Sequence, residues 1–239
     1  MRDCGLIRSI FAGLVGWLAL CLPTHAQVYS GNIVGYYNSI YAPGNYLIAN
    51  QLASGGNTLN EIISNTVPEG TTFTGWNPTT DQYLPISTFD TTTGWSINYM
   101  LTYGQGGLLT TPVLFTNVYV GEVWPGLGVN SFTPPLVSGT GTFLLSSYVP
   151  FADTTFYDVV GRDPLNGDSV QILNPTTQSW STDLFQNGSW NNGAPDLGVG
   201  QSAFFNLQTP ATPTPVPEPS AIALAGLGFG LLARLKRRL

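Results

Sequence analysis

"GTTFTGWNPTT", Gly70–Thr80, returns 97 residues later as "GDSVQILNPTT", Gly167–Thr177. In both copies a glycine opens a short run of β-branched and apolar residues, and Asn-Pro-Thr-Thr closes it. Alternating side chains suit a pleated strand, while proline and asparagine stop it with a turn. The stretch is therefore read as strand then turn, twice. The shift of 97 carries Asn45–Thr80 onto Thr142–Thr177 without a gap. Identities are Leu47/Leu144, Thr58/Thr155, Gly70/Gly167 and the Asn-Pro-Thr-Thr block, seven in 36 positions. Apolar character also repeats at Ile62/Val159, Ile63/Val160, Phe73/Val170 and Tyr83/Trp180. With a small deletion, Trp95/Trp190 and Gly104-Gln105/Gly200-Gln201 follow. A period near 100 is the size of a domain, not of a solenoid repeat.

Other short runs have the same grain: Asn32–Tyr37, Asn45–Asn50, Phe115–Trp124 and Gly141–Val149. Only 8% of residues are charged, and helix-favouring Lys, Glu and Arg are scarce. The expectation is an all-β protein of two tandem, homologous, sandwich- or barrel-like units, residues 27–112 and 113–208. One helical turn is expected in each. "TLNEII" (Thr58–Ile63) and "TFYDVV" (Thr155–Val160) set Thr three residues before an acid, the spacing of a capping box. Glu61 and Asp158 thus have a local structural task rather than a catalytic one.

Residues 1–26 read as a secretory signal peptide, with Arg2 and Arg8 before the apolar run Ile10–Leu22. Thr24-His25-Ala26 supplies the small residues for cleavage between Ala26 and Gln27. The leader implies passage through the Sec translocon. It removes Cys4, Cys21 and His25, so the exported chain lacks cysteine and histidine. Of 13 acidic residues only Asp3 lies outside 27–219, and Arg162 is the one basic residue inside, a formal balance of −11.

Nucleic-acid binding, which needs cations against phosphate, is thereby excluded. Zinc, haem and iron–sulfur sites lack ligands, and Ser–His–Asp, Cys–His and Schiff-base catalysis lack their central residues. No cofactor is expected.

Prolines at 210, 213, 215, 217 and 219 make residues 209–216 an extended, unpaired tether. Ser220–Ala233 follows as an apolar run of 14 residues, about 21 Å as a helix against a hydrocarbon core of ~30 Å. Arg234, Lys236, Arg237 and Arg238 would hold its end on the cytoplasmic side.

The segment "VPEPSAIALAGLGFGLLARLKRRL", Val216–Leu239, resembles the PEP-CTERM sorting signal of exported bacterial proteins. The resemblance implies that residues 217–239 are a sorting segment with a short transmembrane helix. It implies an exosortase as partner, acting at Pro217-Glu218-Pro219, and a protein anchored briefly at the inner membrane before reaching the cell surface or extracellular matrix. The body looks like exported bacterial β-rich modules, a likeness that supports a β fold and a surface location.

Three candidate sites remain in the body. Asp163, Asn166 and Asp168 cluster oxygen ligands of a kind Ca²⁺ accepts, yet Asn166-Gly167 is also a standard hairpin turn, the favoured reading. Trp76, Tyr83, Trp95, Trp124, Trp180 and Trp190 offer faces for stacking on sugars. Tyr83/Trp180 and Trp95/Trp190 repeat as core or interface residues would, so Trp124 is the better ligand candidate. Glu122 is the one glutamate in a strand-like apolar context, and no paired-carboxylate signature of a glycosidase accompanies it. The functional expectation is a non-enzymatic surface or biofilm-matrix protein associated with extracellular polysaccharide. Alternatives are a carbohydrate-binding module, with or without calcium, and a carboxylate-based hydrolase.

Overall fold

A computed structural model of the chain describes residues 34–63, 66–124, 136–150 and 153–209. The expected leader, the Ala26/Gln27 cleavage point, the tether after Thr209 and the sorting segment lie outside the described residues.

Strand-forming runs become three antiparallel sheets. The first half contributes β1 (Val34–Tyr41), β2 (Gly44–Ala49), β3 (Leu52–Ala53), α1 (Leu59–Ile62), β4 (Thr72–Asn77), β5 (Gln82–Tyr83), β6 (Ser87–Asp90), β7 (Gly94–Trp95) and β8 (Gly106–Thr111). Then come β9 (Phe115–Val123), β10 (Gly141–Leu145), α2 (Phe156–Val160), β11 (Ser169–Asn174), β12 (Ser179–Gln186), β13 (Ser189–Trp190) and β14 (Ala203–Leu207). One sheet runs β2-β8-β4-β6-β7, with β5 on β4, and another β10-β14-β11-β12-β13. Under shifts falling from 97 to 95 along the chain these orders correspond, with the single strand β12 answering to both β5 and β6. The third sheet, β1-β9-β3, has no counterpart among the described residues of the second half. β9, beyond the expected boundary at 112/113, pairs with β1 and β3 of the first half.

The repeated Asn-Pro-Thr-Thr has a mechanical reason. Asn77 Oδ1 accepts from the amides of Thr79 (2.9 Å) and Thr80 (3.4 Å), and Asn174 Oδ1 from those of Thr176 (2.9 Å) and Thr177 (3.1 Å). The side chain mimics a backbone turn and reverses the chain after β4 and β11. Both short helices carry their capping acids. Glu61 accepts from the Thr58 amide at 3.0 Å, and Asp158 from the Thr155 amide at 2.9 Å. Hydrogen bonds from the Gly56 amide first, then from the Thr58 amide and hydroxyl, hold the Glu61 carboxyl below its usual range.

Alternation along the strands sends successive side chains to different cores. Ile48, Phe73 and Leu109 face the first core, which α1 covers with Leu59 and Ile62 and the β1–β9 ribbon covers with Tyr41, Phe115 and Tyr119. Val170, Ala203, Phe205 and Leu207 face a second core beneath Phe156 and Val159 of α2. Between the two sheets, Leu47 and Leu108 of one half meet Leu144, Leu173 and Phe204 of the other. The halves therefore pack sheet against sheet on a shared apolar layer.

Their strand edges are stitched as well. Isolated bridges join Ile48 to Gln201 and Gln105 to Leu145, positions that lie 97 (Ile48/Leu145) and 96 (Gln105/Gln201) residues apart. Around each, the Ala49 amide donates to Gly200 O (2.9 Å) and the Ser146 amide to Gly104 O (2.8 Å). Pairing thus runs from β2 to β8, across to β10, on to β14 and back to β2, which closes the edges that β2 and β10 would otherwise expose. Gln51, wholly buried, bonds Ser146 Oγ (3.1 Å) and Ser147 Oγ (3.0 Å) and accepts from the Gly200 amide (2.7 Å). Gly104 (φ +70°) and Gly200 (φ +74°) sit in the left-handed region, and any Cβ there would strike Tyr148 or Tyr37.

Tyr41 and Tyr119 share a hydrogen bond of 2.8 Å inside the first core, and Tyr37 stacks on Tyr119 at 4.6 Å. Burial first, then the neighbouring phenols, push the Tyr119 hydroxyl well above its ordinary value. Below pH ~10 it is protonated folded or unfolded, and above that only the unfolded chain ionises. Stability should therefore fall as pH rises past about 10. Tyr119→Phe should flatten that fall, read as unfolding midpoints in urea across alkaline pH.

Candidate functional site

The stitching of the halves leaves a cleft beside each bridge. One, about 260 Å³, is lined by Trp76, Pro78, Thr102, Tyr103, Gln105, Phe143, Leu144, Leu145 and Tyr148. The other, about 240 Å³, includes Tyr46, Leu47, Ile48, Leu173, Pro175, Gly198, Val199 and Gln201. Shifting the first set by 97 or 96 gives residues of the second, with Tyr148 the exception, while Ser39, Ile40, Tyr41 and Gly200 of the second answer to nothing in the first. The two clefts are thus lined at positions 97 or 96 residues apart, and they are differently furnished.

The aromatic cleft is built from fixed parts. Trp76, at the end of β4, donates its indole N–H to Thr142 O at 2.8 Å and meets Phe204 and Tyr83 edge-on at 4.9 and 5.1 Å. Tyr103 donates its hydroxyl to Glu122 O at 3.0 Å, and burial raises that phenol above its ordinary value. Tyr148 lies over Gly104, where no side chain intervenes, and is met edge-on by Trp124 at 5.3 Å. Gln105 Oε1 accepts from the Thr102 amide (3.1 Å) and hydroxyl (3.3 Å) and anchors the turn before β8. Its amide nitrogen donates to no described residue.

The sequence candidates fall in different places. Trp124, half-buried, backs Tyr148 rather than lining the cleft. Trp95 is buried in the first core and Trp190 packs against the second. Tyr83 and Trp180, expected in core or interface, are 45% and 50% exposed, their rings resting on Phe204. The reason is their place at the rim of the shared layer, in register beside Trp76 and Leu173 and packed on Phe204. Tyr103 and Tyr148 were not singled out from the sequence. The signal that marks them is the contrast with the residue 96 or 97 positions away, Tyr103 against Val199 and Tyr148 against Gln51.

The Asp163, Asn166 and Asp168 cluster is organised around an ion pair. Asp168, fully buried, accepts from Arg162 Nη1 (2.6 Å) and Nη2 (3.2 Å), from the Leu165 amide (2.7 Å) and from the Gln208 amide (2.7 Å). Both its oxygens are committed to these donors, and a guanidinium stands where a cation would sit. Asp163 and Asn166 are exposed. Among the described residues no three His, Cys, Asp or Glu side chains cluster as a metal site would. Glu122 is an exposed residue of β9, paired with Val34 and Ala53.

Pro217-Glu218-Pro219 and the basic residues Arg234, Lys236, Arg237 and Arg238 lie outside the described residues, as does the apolar run Ser220–Ala233. Among the described residues no helix is long and apolar enough to cross a membrane. No curated protein and no solved structure matches the chain. A family model does match part of it, the PEP-CTERM protein-sorting motif, over residues 215–238. The chain therefore carries a PEP-CTERM sorting motif, which implies export, transient membrane anchoring and processing by a membrane exosortase.

Proposed function

We propose that the mature chain is a non-enzymatic protein of the cell surface or extracellular matrix, associated with biofilm polysaccharide. In this reading the signal peptide delivers it through the Sec translocon, and exosortase frees it at Pro217-Glu218-Pro219. Its β body is two tandem, homologous units joined through the stitched layer. The observation that carries the reading is the sorting motif at residues 215–238. The body's composition supports the absence of catalysis. Outside the leader and the tail it has neither histidine, cysteine nor lysine, and its capping acids Glu61 and Asp158 are occupied by backbone and threonine groups.

Replacing Pro217-Glu218-Pro219 with three alanines should leave the basic tail attached. The variant is expected in the membrane fraction with its C-terminal peptide detectable by mass spectrometry, whereas the wild-type chain appears at the surface or in the medium without it. Equal release and trimming of both proteins would refute processing at this motif.

A further inference from the structure

We propose that the aromatic cleft is a binding site for a neutral saccharide, seating one or two pyranose rings of a longer chain. The proposal rests on the surface reading only for where the ligand is met. The binding itself depends on the cleft alone.

The molecule supplies its own comparison. The two clefts share a scaffold, in which Pro78, Gln105, Leu144 and Leu145 answer to Pro175, Gln201, Leu47 and Ile48. These residues serve the turn and the joint, and their recurrence calls for no ligand. What differs is the furnishing. Leu173 becomes Trp76, Val199 becomes Tyr103, and Gly198 becomes Thr102. Tyr148 stands where the other half has Gln51, whose amide is spent within the joint.

The amides differ in the same direction. Gln201 Nε2 donates to Leu173 O at 3.4 Å and its Oε1 accepts from the Gly198 amide at 3.2 Å, so both ends serve the fold. Gln105 keeps the second bond, to Thr102, but makes no bond to Trp76 O in place of the first. An amide donor is left in a cleft lined by four aromatic rings, Trp76, Tyr103, Phe143 and Tyr148, whereas the twin has two, Tyr41 and Tyr46, and a Gln201 amide already spent.

That combination selects a ligand class. Aromatic faces take up the C–H faces of sugar rings, and a few placed polar groups then fix hydroxyls. Here Gln105 Nε2, the Thr102 hydroxyl and the Tyr148 hydroxyl provide them. The rings are held from behind by Thr142, Glu122 and Trp124, so little side-chain freedom is lost on binding. No charged residue lines the cleft, and the surrounding body is acidic. Phosphorylated and anionic ligands would be repelled, and neutral ones would not. A proline-rich peptide also docks on aromatic grooves, but it wants an extended trough and open donors along it. The cleft is a compact 260 Å³, and the Trp76 N–H is already given to Thr142.

The test is calorimetric titration of the full chain, held in a non-glycosidic detergent, with cellohexaose, mannohexaose and a galacto-oligosaccharide. A peptide of residues 209–219 forms a second arm. At least one oligosaccharide should bind saturably. Trp76→Leu and Tyr103→Val, which install the residues of the twin cleft, should each weaken it roughly tenfold or more, in line with the loss of one aromatic contact. Val199→Ala in the twin cleft should change nothing. Should Trp76→Leu fail to fold, Tyr103→Val, on a side chain outside the three cores, decides alone. Absence of binding at millimolar sugar, unchanged affinity in the folded cleft variants, or binding of the peptide instead of the sugars would each overturn the proposal. The alanine variant of Pro217-Glu218-Pro219 should bind as wild type does, so failure of processing and failure of binding are read separately.

Discussion

Phe73→Ala should lower the unfolding free energy by about 3–5 kcal/mol, the largest loss expected from one side chain in the body. Phe73 has no solvent exposure and sits at the centre of the first core. Its ring meets Trp95 edge-on at 6.4 Å and Tyr99 at 6.1 Å, and its tip lies over Gly107, where any Cβ would collide with it. Neighbours so fixed cannot close the cavity, which puts the cost toward the upper part of the range. A midpoint shift of about 2–4 °C per kcal/mol makes the melting temperature fall by roughly 10 °C. Phe73→Leu, which keeps most of the volume, should cost much less. Scanning calorimetry on the two variants checks both, and equal melting of wild type and alanine variant would contradict the packing described.

Asp168→Ala should cost about 3 kcal/mol, the lower end of the range for breaking a buried ion pair, since Arg162 is 17% exposed and water recovers part of its solvation. The loss has a local signature. The amides of Leu165 and Gln208 both donate to Asp168, and both should lose hydrogen-exchange protection while the first core keeps its own. Replacing Arg162 by Met in the same chain should recover part of the stability, because no charge is then left without its partner. Undiminished protection at Gln208 in Asp168→Ala would show that the ion pair does not hold that end of the sheet.

The positions of six of the fourteen described strands were legible in the sequence because turn residues announced them. The run at Thr71–Trp76 became β4 (72–77), and the run at Phe115–Trp124 became β9 (115–123). The capping pairs Thr58/Glu61 and Thr155/Asp158 likewise marked where α1 and α2 begin. Such features rest on neighbours within a few residues. The joint between the halves rests on contacts such as Gln51 to Gly200, 149 residues apart, for which local pattern carries no signal. The cleft was half legible. Trp76 stood among the aromatic candidates, but its pairing with Tyr103 and Tyr148 needs the joint first. The cluster at 163–168 was legible as a turn, while the role of Arg162 was hidden, because Gln208, whose carbonyl accepts from Arg162 and whose amide donates to Asp168, arrives from just past the end of β14.

That arrival has a mechanical consequence. Any force on the proline-rich segment enters the body at Gln208 and runs down β14, which lies between β10 and β11 rather than at an edge. Its hydrogen bonds to both neighbours cross the line of pull, so they share the load instead of parting one after another. The Arg162–Asp168 pair grips the strand where the load enters. A body held by this end is anchored like a spliced rope, not like a hem that unzips.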